Sequence, residues 1–356
     1  MFEQNSVKTV DYILIGQGLA GSALALQLLK RQRSFVIIDA AAQNHTSRIA
    51  AGLFNPITGK KMTATWLGST LFSYLESFYT EAEHATREHF FSPMPLYRPF
   101  LSVEEQNEWM GKSAEASYKP FLEKIFLQHA IDGVHDSFGG LLLKQCGFLN
   151  TTTYVSAVKQ LALARHQVVI DAYVNLDEIE VTSTAVTCCG YEAKNLILCQ
   201  GVHSSRWFNW LPIRPLKGET IRISASLPEN IIINRGVYVV PSSLPNEWRV
   251  GGTYNFQDHT PQPTQAGKAE LEQKLIALLN VSFDVVSQEW GVRPTTPDRR
   301  PLLGRHPELQ NVWVFNGFGT KGVSLSPYFS EVLVNAIENG NRINKEVDIE
   351  RYKSLY

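Results

Sequence analysis

The sequence predicts an α/β fold, a Rossmann-type nucleotide domain interleaved with an α+β substrate domain built on an antiparallel sheet. Three observations carry that prediction. The chain opens on a strand, a glycine turn and a helix, "DYILIGQGLAGSALALQLL" from Asp11 to Leu29, and a second apolar strand follows at once. Period-two and apolar strands then recur between Pro215 and Tyr254 with no helix between them, as antiparallel pairing requires. A strand–loop–helix rhythm returns before the end. At 356 residues the chain is long enough for two domains. The expected division gives 1–90, 150–214 and 285–356 to the nucleotide domain, and 91–149 and 215–284 to the second.

Taken in order, Val10 to Ile15 is an apolar run of strand length, and Leu19 to Arg31 has helical spacing with basic residues at its end. Phe35 to Ile38 reads as a strand buried on both faces. Thr65 to Glu83 places Leu67, Leu71, Leu75 and Phe78 on one helical face. Proline-punctuated segments run from Pro93 to Leu149. "NTTTYVSAVKQLALA" then supplies a helix that Asn150 or a following threonine caps. "VVIDAYV" and "AVTCCGYEAKNLILCQG" read as strands, the latter ending in a glycine turn. "LKGETIRIS", "RGVYVVP" and "WRVGGTY" are three strands of the second domain, and Ala266 to Leu279 is a helix. The last helix is expected from Pro327 to about Asn339, or from near Ser324.

Composition narrows the function. A net charge of −1 supplies no field for collecting nucleic acid or anionic membrane, so nucleic acid is a disfavoured though not excluded partner. Small basic knots at Lys30–Arg33, Lys60-Lys61 and Arg299-Arg300 suit helix ends and loops. Cys146, Cys188, Cys189 and Cys199 show neither CxxC spacing nor a nearby histidine, so no metal site and no disulfide framework is expected. Cys188 and Cys189 should point to opposite faces of a strand, and reduced thiols fit a cytoplasmic location. His84 and His89 are read as five apart on one helix and badly placed to share a metal. The apolar run from Tyr12 to Leu29 lacks a basic flank and is broken by glycines, so no targeting or membrane segment is expected.

Gly16, Gly18 and Gly21 form G-x-G-x-x-G directly after a strand and directly before a helix. The first permits the tight turn, the second lets pyrophosphate approach the backbone, and the third lets helix and strand pack closely. The helix beginning at Leu19 and Ala20 aims its free N–H groups at the phosphates. Asp39 stands 18 positions beyond Gly21, where a carboxylate accepts from ribose hydroxyls and disfavours a 2′-phosphate. These residues predict a dinucleotide and leave NAD and FAD both open.

Three later stretches bear on that choice: "TSRIAAGLFNP" from Thr46, "LILCQGVHSS" from Leu196, and "GVRPTTPDRRPLLG…VWVFNGFGTKGVSLSP" from Gly291 to Pro327. With them the whole chain resembles, in order, the D-amino-acid-oxidase-like superfamily of FAD-dependent oxidoreductases, which includes glycine oxidase and sarcosine oxidase. "GFGTKGVSLSP" and "AAGLFNPITGKK" look nearest the flavin oxidase half of the enzyme that forms methylaminomethyl-uridine in tRNA. The resemblance implies FAD in the N-terminal turn. It implies that Ser47, Arg48, Ala51, Gly52 and Leu53 wrap the pyrophosphate and ribityl chain, with Val174 on the adenine side and Gly201 by the flavin. It implies that Arg293 grips a substrate carboxylate, for which a planar fork of donors is suited and lysine is not, against the alternative of a salt-bridged arginine that holds the two domains together. It also implies non-covalent FAD, because the cysteine that tethers flavin in some relatives has no counterpart beyond Cys199.

Gly317, Phe318, Gly319, Thr320, Lys321 and Gly322 form a glycine loop whose N–H groups can reach a flavin ring. The helix behind it offers a positive end to charge gathering there, and Lys321 is a candidate to add a full charge, against the alternative of a loop lysine facing water. Arg249 matches a basic residue that promotes reaction with oxygen in some relatives, against the alternative of a solvent-facing strand arginine. Tyr238 and Tyr254 are candidates for capping substrate, against ordinary core positions. The expected activity is oxidation of the C–N bond of a small amine or N-substituted amino acid by hydride transfer to flavin N5. Water hydrolyses the imine, and O2 is the expected acceptor. The alternatives are a flavin oxidase acting on a modified tRNA base, an FAD dehydrogenase with another acceptor, an NAD dehydrogenase, and a flavin-binding module without turnover.

Overall fold

A computed structural model describes residues 7–40, 46–59, 61–203, 206–258 and 260–356, the side chain of Arg206 excepted; Lys60 of the basic knot at Lys60-Lys61 lies outside them. Two eight-stranded sheets organise the chain. In the first, the strands Val168–Asp171, Phe35–Asp39, Lys8–Ile15, Tyr191–Leu198 and Val312–Asn316 run parallel in that order. Tyr191–Leu198 is shared along one edge: its first half pairs antiparallel with Val186–Cys188, its second half parallel with Val312–Asn316. The glycine turn and the Cys199–Gly201 turn therefore emerge side by side at the carboxyl ends of adjacent parallel strands, where ligands of such sheets bind.

The first helix, Leu19–Lys30, is sandwiched between sheet and neighbouring helices, so Ala23, Leu24, Ala25 and Leu28 are fully buried and it is apolar all round. The helix expected from Thr65 spans Gly68–Thr86, because Thr63–Ala64 is spent pairing with Ile57–Thr58 and Thr65 turns back to Pro56. Asn150 caps Thr151–Ala164, its side chain accepting the N–H of Thr153 at 3.1 Å. The last helix starts earlier than expected, at Gly322, and carries Pro327 inside it. Proline has no N–H for the carbonyl of Val323, one turn back; the hydroxyl of Tyr79 donates to that oxygen at 2.9 Å.

The second sheet runs Phe283–Thr295, Arg214–Ala225, Glu247–Gly251, Val237–Pro241, Ile232–Arg235, Leu96–Pro99, Gly140–Leu143 and Leu122–Phe126. "RGVYVVP" is split by a turn at Gly236, with φ of 76°, so the strand Ile232–Arg235 joins the three expected ones. Phe283–Thr295 was not anticipated as a strand. It pairs along its whole length with Arg214–Ala225, so the crossing back to the first sheet comes after Thr295, not at 285.

Cys188 ends a strand and Cys189 lies in the turn with φ of 48°, which brings their sulfurs to 3.6 Å instead of opposite faces. The helix that was to carry both His84 and His89 stops at Thr86, and His89 pairs with Glu83 at 3.0 Å. Among the described residues there is no metal-binding cluster, and no helix is long and apolar enough to cross a membrane.

Candidate active site

The cradle begins at Gly16, whose φ of 103° is the left-handed conformation that favours glycine. A Cβ there would lie 2.5 Å from the carbonyl oxygen of Cys199, so turn and neighbouring strand end interlock. A Cβ on Gly18 would lie 2.6 Å from the hydroxyl of Ser47, and one on Gly21 would collide with the carbonyl of Gly16. The N–H of Gln17 donates to Asp39 Oδ1 at 2.9 Å, and the N–H of Leu19 to Ser47 Oγ at 3.1 Å. Asp39 thus fixes the turn as well as standing where a ribose is expected. No acidic residue occupies the first turn of the helix, so its own side chains do not offset its positive end.

The opposite wall comes from the far end of the chain. Gly317 and Gly319 have φ of 75° and 55°. Phe318 turns inward against Phe315, with ring centroids 4.7 Å apart, while Thr320 is exposed. A Cβ on Gly322 would lie 3.0 Å from Leu19 Cδ1, so the first and last helices present their N-termini together. Between them, Gly201 has open space on its Cβ side, and Gln200 Oε1 is buried with no hydrogen-bond partner among the described residues. Such an acceptor costs about 1–3 kcal/mol until a donor reaches it. Val174 is buried with Ile15 and Ile38 at the same strand ends. A side-chain-free floor, two helix N-termini and an orphaned acceptor fit FAD.

The segment from Thr46 to Leu53 ties this cradle to the second sheet. Thr46 Oγ1 donates to the carbonyl of Val292 at 2.7 Å and accepts its N–H at 3.2 Å. Arg48 reaches Ser156 at 3.2 Å, and its carbonyl accepts from the Thr152 hydroxyl at 2.9 Å. Ala51 is buried, and Gly52, with φ of 71°, lies so close to the carbonyl of Leu149 that a Cβ would overlap it. Leu53 pairs with Phe148. Arg249 does not face solvent: its Nη1 donates to the carbonyl of Ala50 at 2.8 Å, and Glu289 stands 3.9 Å from its Nη2.

Arg293 lies one residue beyond Val292. Its Nη1 donates to the carbonyl of Thr253 at 3.1 Å, and its guanidinium carbon lies 5.2 Å from the Tyr254 ring centroid, within cation–π range. A Cβ on Gly218, on the adjacent strand, would overlap the guanidinium, and one on Gly252 would lie 3.0 Å from Nη2. Two glycines therefore make the space in which the fork lies. Tyr238 is partly buried; burial pushes its pKa up to about 12, with Arg293 opposing, so it remains a hydroxyl donor at neutral pH. Tyr254 is 63% exposed and sits at the rim. Lys321 reaches Thr65 Oγ1 at 3.5 Å. Burial and then the charges of Arg300 and Arg299 push its pKa down, and among the described residues no carboxylate pairs with it.

The structure therefore gathers the N-terminal turn, Ser47 and the Gly317–Gly322 loop on one side, and Arg293, Tyr238, Tyr254 and Arg249 on the facing sheet. Sequence reasoning missed Gly218, Gly252, Thr253 and Gln200. A lone glycine inside the strand "LKGETIRIS" signals close approach of another group, and Gly218 carried that signal.

Comparison with known proteins gives the same picture. The profile described as "FAD dependent oxidoreductase" (DAO) matches residues 11–336. The chain is 24% identical to the bifunctional protein ThiO/ThiG of Nostoc sp. over 348 residues, covering 92% of this chain and 53% of that one. It is 23% identical to the tRNA 5-methylaminomethyl-2-thiouridine biosynthesis bifunctional protein MnmC of Idiomarina loihiensis, covering 91% and 55%. The chain thus spans about half the length of these curated relatives. Glycine oxidase from Geobacillus kaustophilus has the same fold, with a TM-score of 0.77 at 18% identity over 97% of this chain and 98% of that one.

Proposed function

The chain belongs to the FAD-dependent oxidoreductase (DAO) family, and on that premise we propose that it oxidises the C–N bond of a small amine or N-substituted amino acid whose carboxylate Arg293 holds. One observation carries the reading: the Arg293 fork lies over Gly218, oriented by a backbone carbonyl, on the strand that Thr46 joins to the cofactor loop. Its planar donors suit a carboxylate bidentately, and such a pair fixes orientation as well as affinity.

Gly16, Gly18, Gly21, Asp39, the loop from Ser47 to Leu53 and the segment Gly317 to Gly322 would hold FAD non-covalently. Bound there, FAD would supply the acceptor for the α-hydrogen and both electrons of its C–H bond, the C–N bond becoming an imine that water hydrolyses, with the electrons passing on to O2 or another acceptor. Arg293 sets the substrate carboxylate, the neutral Tyr238 hydroxyl offers a hydrogen bond beside it, and Tyr254 covers the rim. Lys321 places a cation at the start of the last helix, where negative charge is best accepted. Arg249 holds the cofactor loop against the substrate sheet through Ala50. The setting is the cytoplasm, and the first sheet with its helices forms the cofactor domain, the second sheet the substrate domain.

A second reading, oxidation of a modified tRNA base, draws support from the similarity to MnmC. It also draws on Tyr254 beside Arg293 and on Phe256, 63% and 57% exposed and so open to base stacking. The test is an anaerobic screen. Small amino acids, secondary amines and tRNA bearing an N-substituted aminomethyl-uridine are added to the yellow holoenzyme, and bleaching of the flavin band is recorded. Bleaching by a carboxylate-bearing amine that Arg293→Ala abolishes, with FAD retained, supports the main reading; bleaching by tRNA alone replaces it with the second. A protein that stays yellow with all of them contradicts both.

A further inference from the structure

We infer that Lys217 and Asp258 form a latch that positions Arg293 for its carboxylate, a role that rests on the clamp reading above. Lys217 precedes Gly218 on the strand Arg214–Ala225, so its side chain leaves the sheet on the face opposite the guanidinium. It is only 2% exposed, and a lysine is that buried only when its charge is paired. Its ammonium makes three hydrogen bonds, all to one segment: Asp258 Oδ2 at 2.7 Å, Thr260 Oγ1 at 2.8 Å and the carbonyl of Gln262 at 2.8 Å. That segment is otherwise a surface strap, with Tyr254, Asn255, Phe256, Gln257 and Thr260 exposed. A desolvated cation is thus spent on holding a loop with little apolar anchorage of its own.

The strap leads directly to the clamp. The backbone N–H and carbonyl of Lys217 bond the carbonyl and N–H of Asn255, both at 2.9 Å. Asn255 Oδ1 accepts the N–H groups of Gln257 and Asp258 at 2.8 and 3.0 Å, an Asx turn that stiffens the path to the latch. The N–H of Thr253 donates to the carbonyl of Glu219 at 3.1 Å, and Thr253 Oγ1 accepts the N–H of Glu219 at 2.9 Å. The carbonyl of that same Thr253 orients Arg293, and the ring of the next residue, Tyr254, lies against the guanidinium. Beyond the latch, the Glu219 carboxylate accepts from the N–H and hydroxyl of Thr264 at 2.8 and 2.7 Å and from Gln288 at 2.6 Å. The ammonium therefore faces Asp258, Glu219 at 3.9 Å and the Trp290 ring at 5.7 Å. Lys217, on the back of the sheet, acts as a positioning residue: released, the strap lets Thr253 and Tyr254 shift and the fork lose its orientation, while the FAD cradle is untouched.

The test uses holoenzyme with Asp258→Ala, at a partly exposed position, alongside Lys217→Met and the conservative Asp258→Glu. Acetate is titrated against the visible flavin spectrum, and amide hydrogen exchange is followed over residues 253–264. Asp258→Ala is expected to weaken acetate about tenfold, to speed exchange in the strap, and to keep full FAD content; Asp258→Glu should recover most of the affinity. Faster strap exchange with unchanged acetate affinity overturns the latch, and so does unchanged exchange. If Lys217→Met fails to fold, Asp258→Ala still decides. A wild-type protein whose spectrum does not respond to acetate overturns the clamp reading, and the latch with it, whereas binding that Arg293→Ala abolishes and Asp258→Ala leaves intact overturns the latch alone.

Discussion

Gly218→Ala adds one methyl group at the position where the Arg293 guanidinium lies. The new Cβ would overlap Nη1, Cζ and Nη2 together. Ordinary carbon contacts need about 3.5 Å, so the fork must withdraw by roughly 1 Å or more. The hydrogen bond to Thr253, already 3.1 Å long, does not survive that movement. Gly218 is not among the glycines with positive φ, so alanine fits the backbone and is favoured in a strand by about 0.5–1 kcal/mol. The damage therefore falls on the site and not on the fold. A misplacement of about 1 Å costs roughly a hundredfold in rate, equal to about 2.7 kcal/mol of transition-state stabilisation. The assay compares kcat/KM for a carboxylate-bearing substrate with that for the amine lacking the carboxylate, in variants of matched FAD content. A loss of about a hundredfold for the first and little change for the second is expected. A variant within about twofold of wild type on the carboxylate substrate, or equal losses on both, refutes the reasoning.

Gly18→Val is expected to purify without flavin, since a side chain there meets Ser47 where pyrophosphate should lie; absorbance near the flavin band measures this. Lys321→Met removes a cation that burial and two neighbouring arginines disfavour. The apoprotein should gain about 0.5–1 kcal/mol in denaturant unfolding while turnover of the holoenzyme falls. Hydrogen bonds from Lys217 and Thr260 hold the Asp258 carboxyl well below its ordinary range. A depressed carboxylate stabilises at and above its unfolded pKa and loses that contribution as pH falls through the lower folded value. Strap amides should thus stay protected at pH 5 and open only in stronger acid; opening between pH 5 and 7 contradicts the pairing.

What the sequence disclosed was local. Gly16, Gly18 and Gly21 are readable because a strand, a turn and a helix follow one another within twenty residues, and backbone sterics alone assign each glycine its task. Arg293 stood out as a candidate because its flanking residues form a pattern. Its surroundings were not: Gly218, Gly252 and Thr253 belong to other strands, and only the register of the second sheet brings them under the fork. Arg249 looked like a surface residue for the same reason, since its partner Ala50 lies far away in sequence. The strand Phe283–Thr295 escaped notice because proline and charged residues at its end masked the alternation. The early start of the last helix was hidden by Pro327, whose missing bond is compensated by Tyr79, a partner outside the segment.

The abutting helix starts at Leu19 and Gly322 impose an order on biosynthesis. On the ribosome, the first half of the coenzyme pocket emerges about 300 residues ahead of the second. A nascent chain released early, or a gene truncated before Gly317, would display the phosphate turn yet lack the opposite wall for the ring, so colour should develop only once Gly322 has left the ribosome.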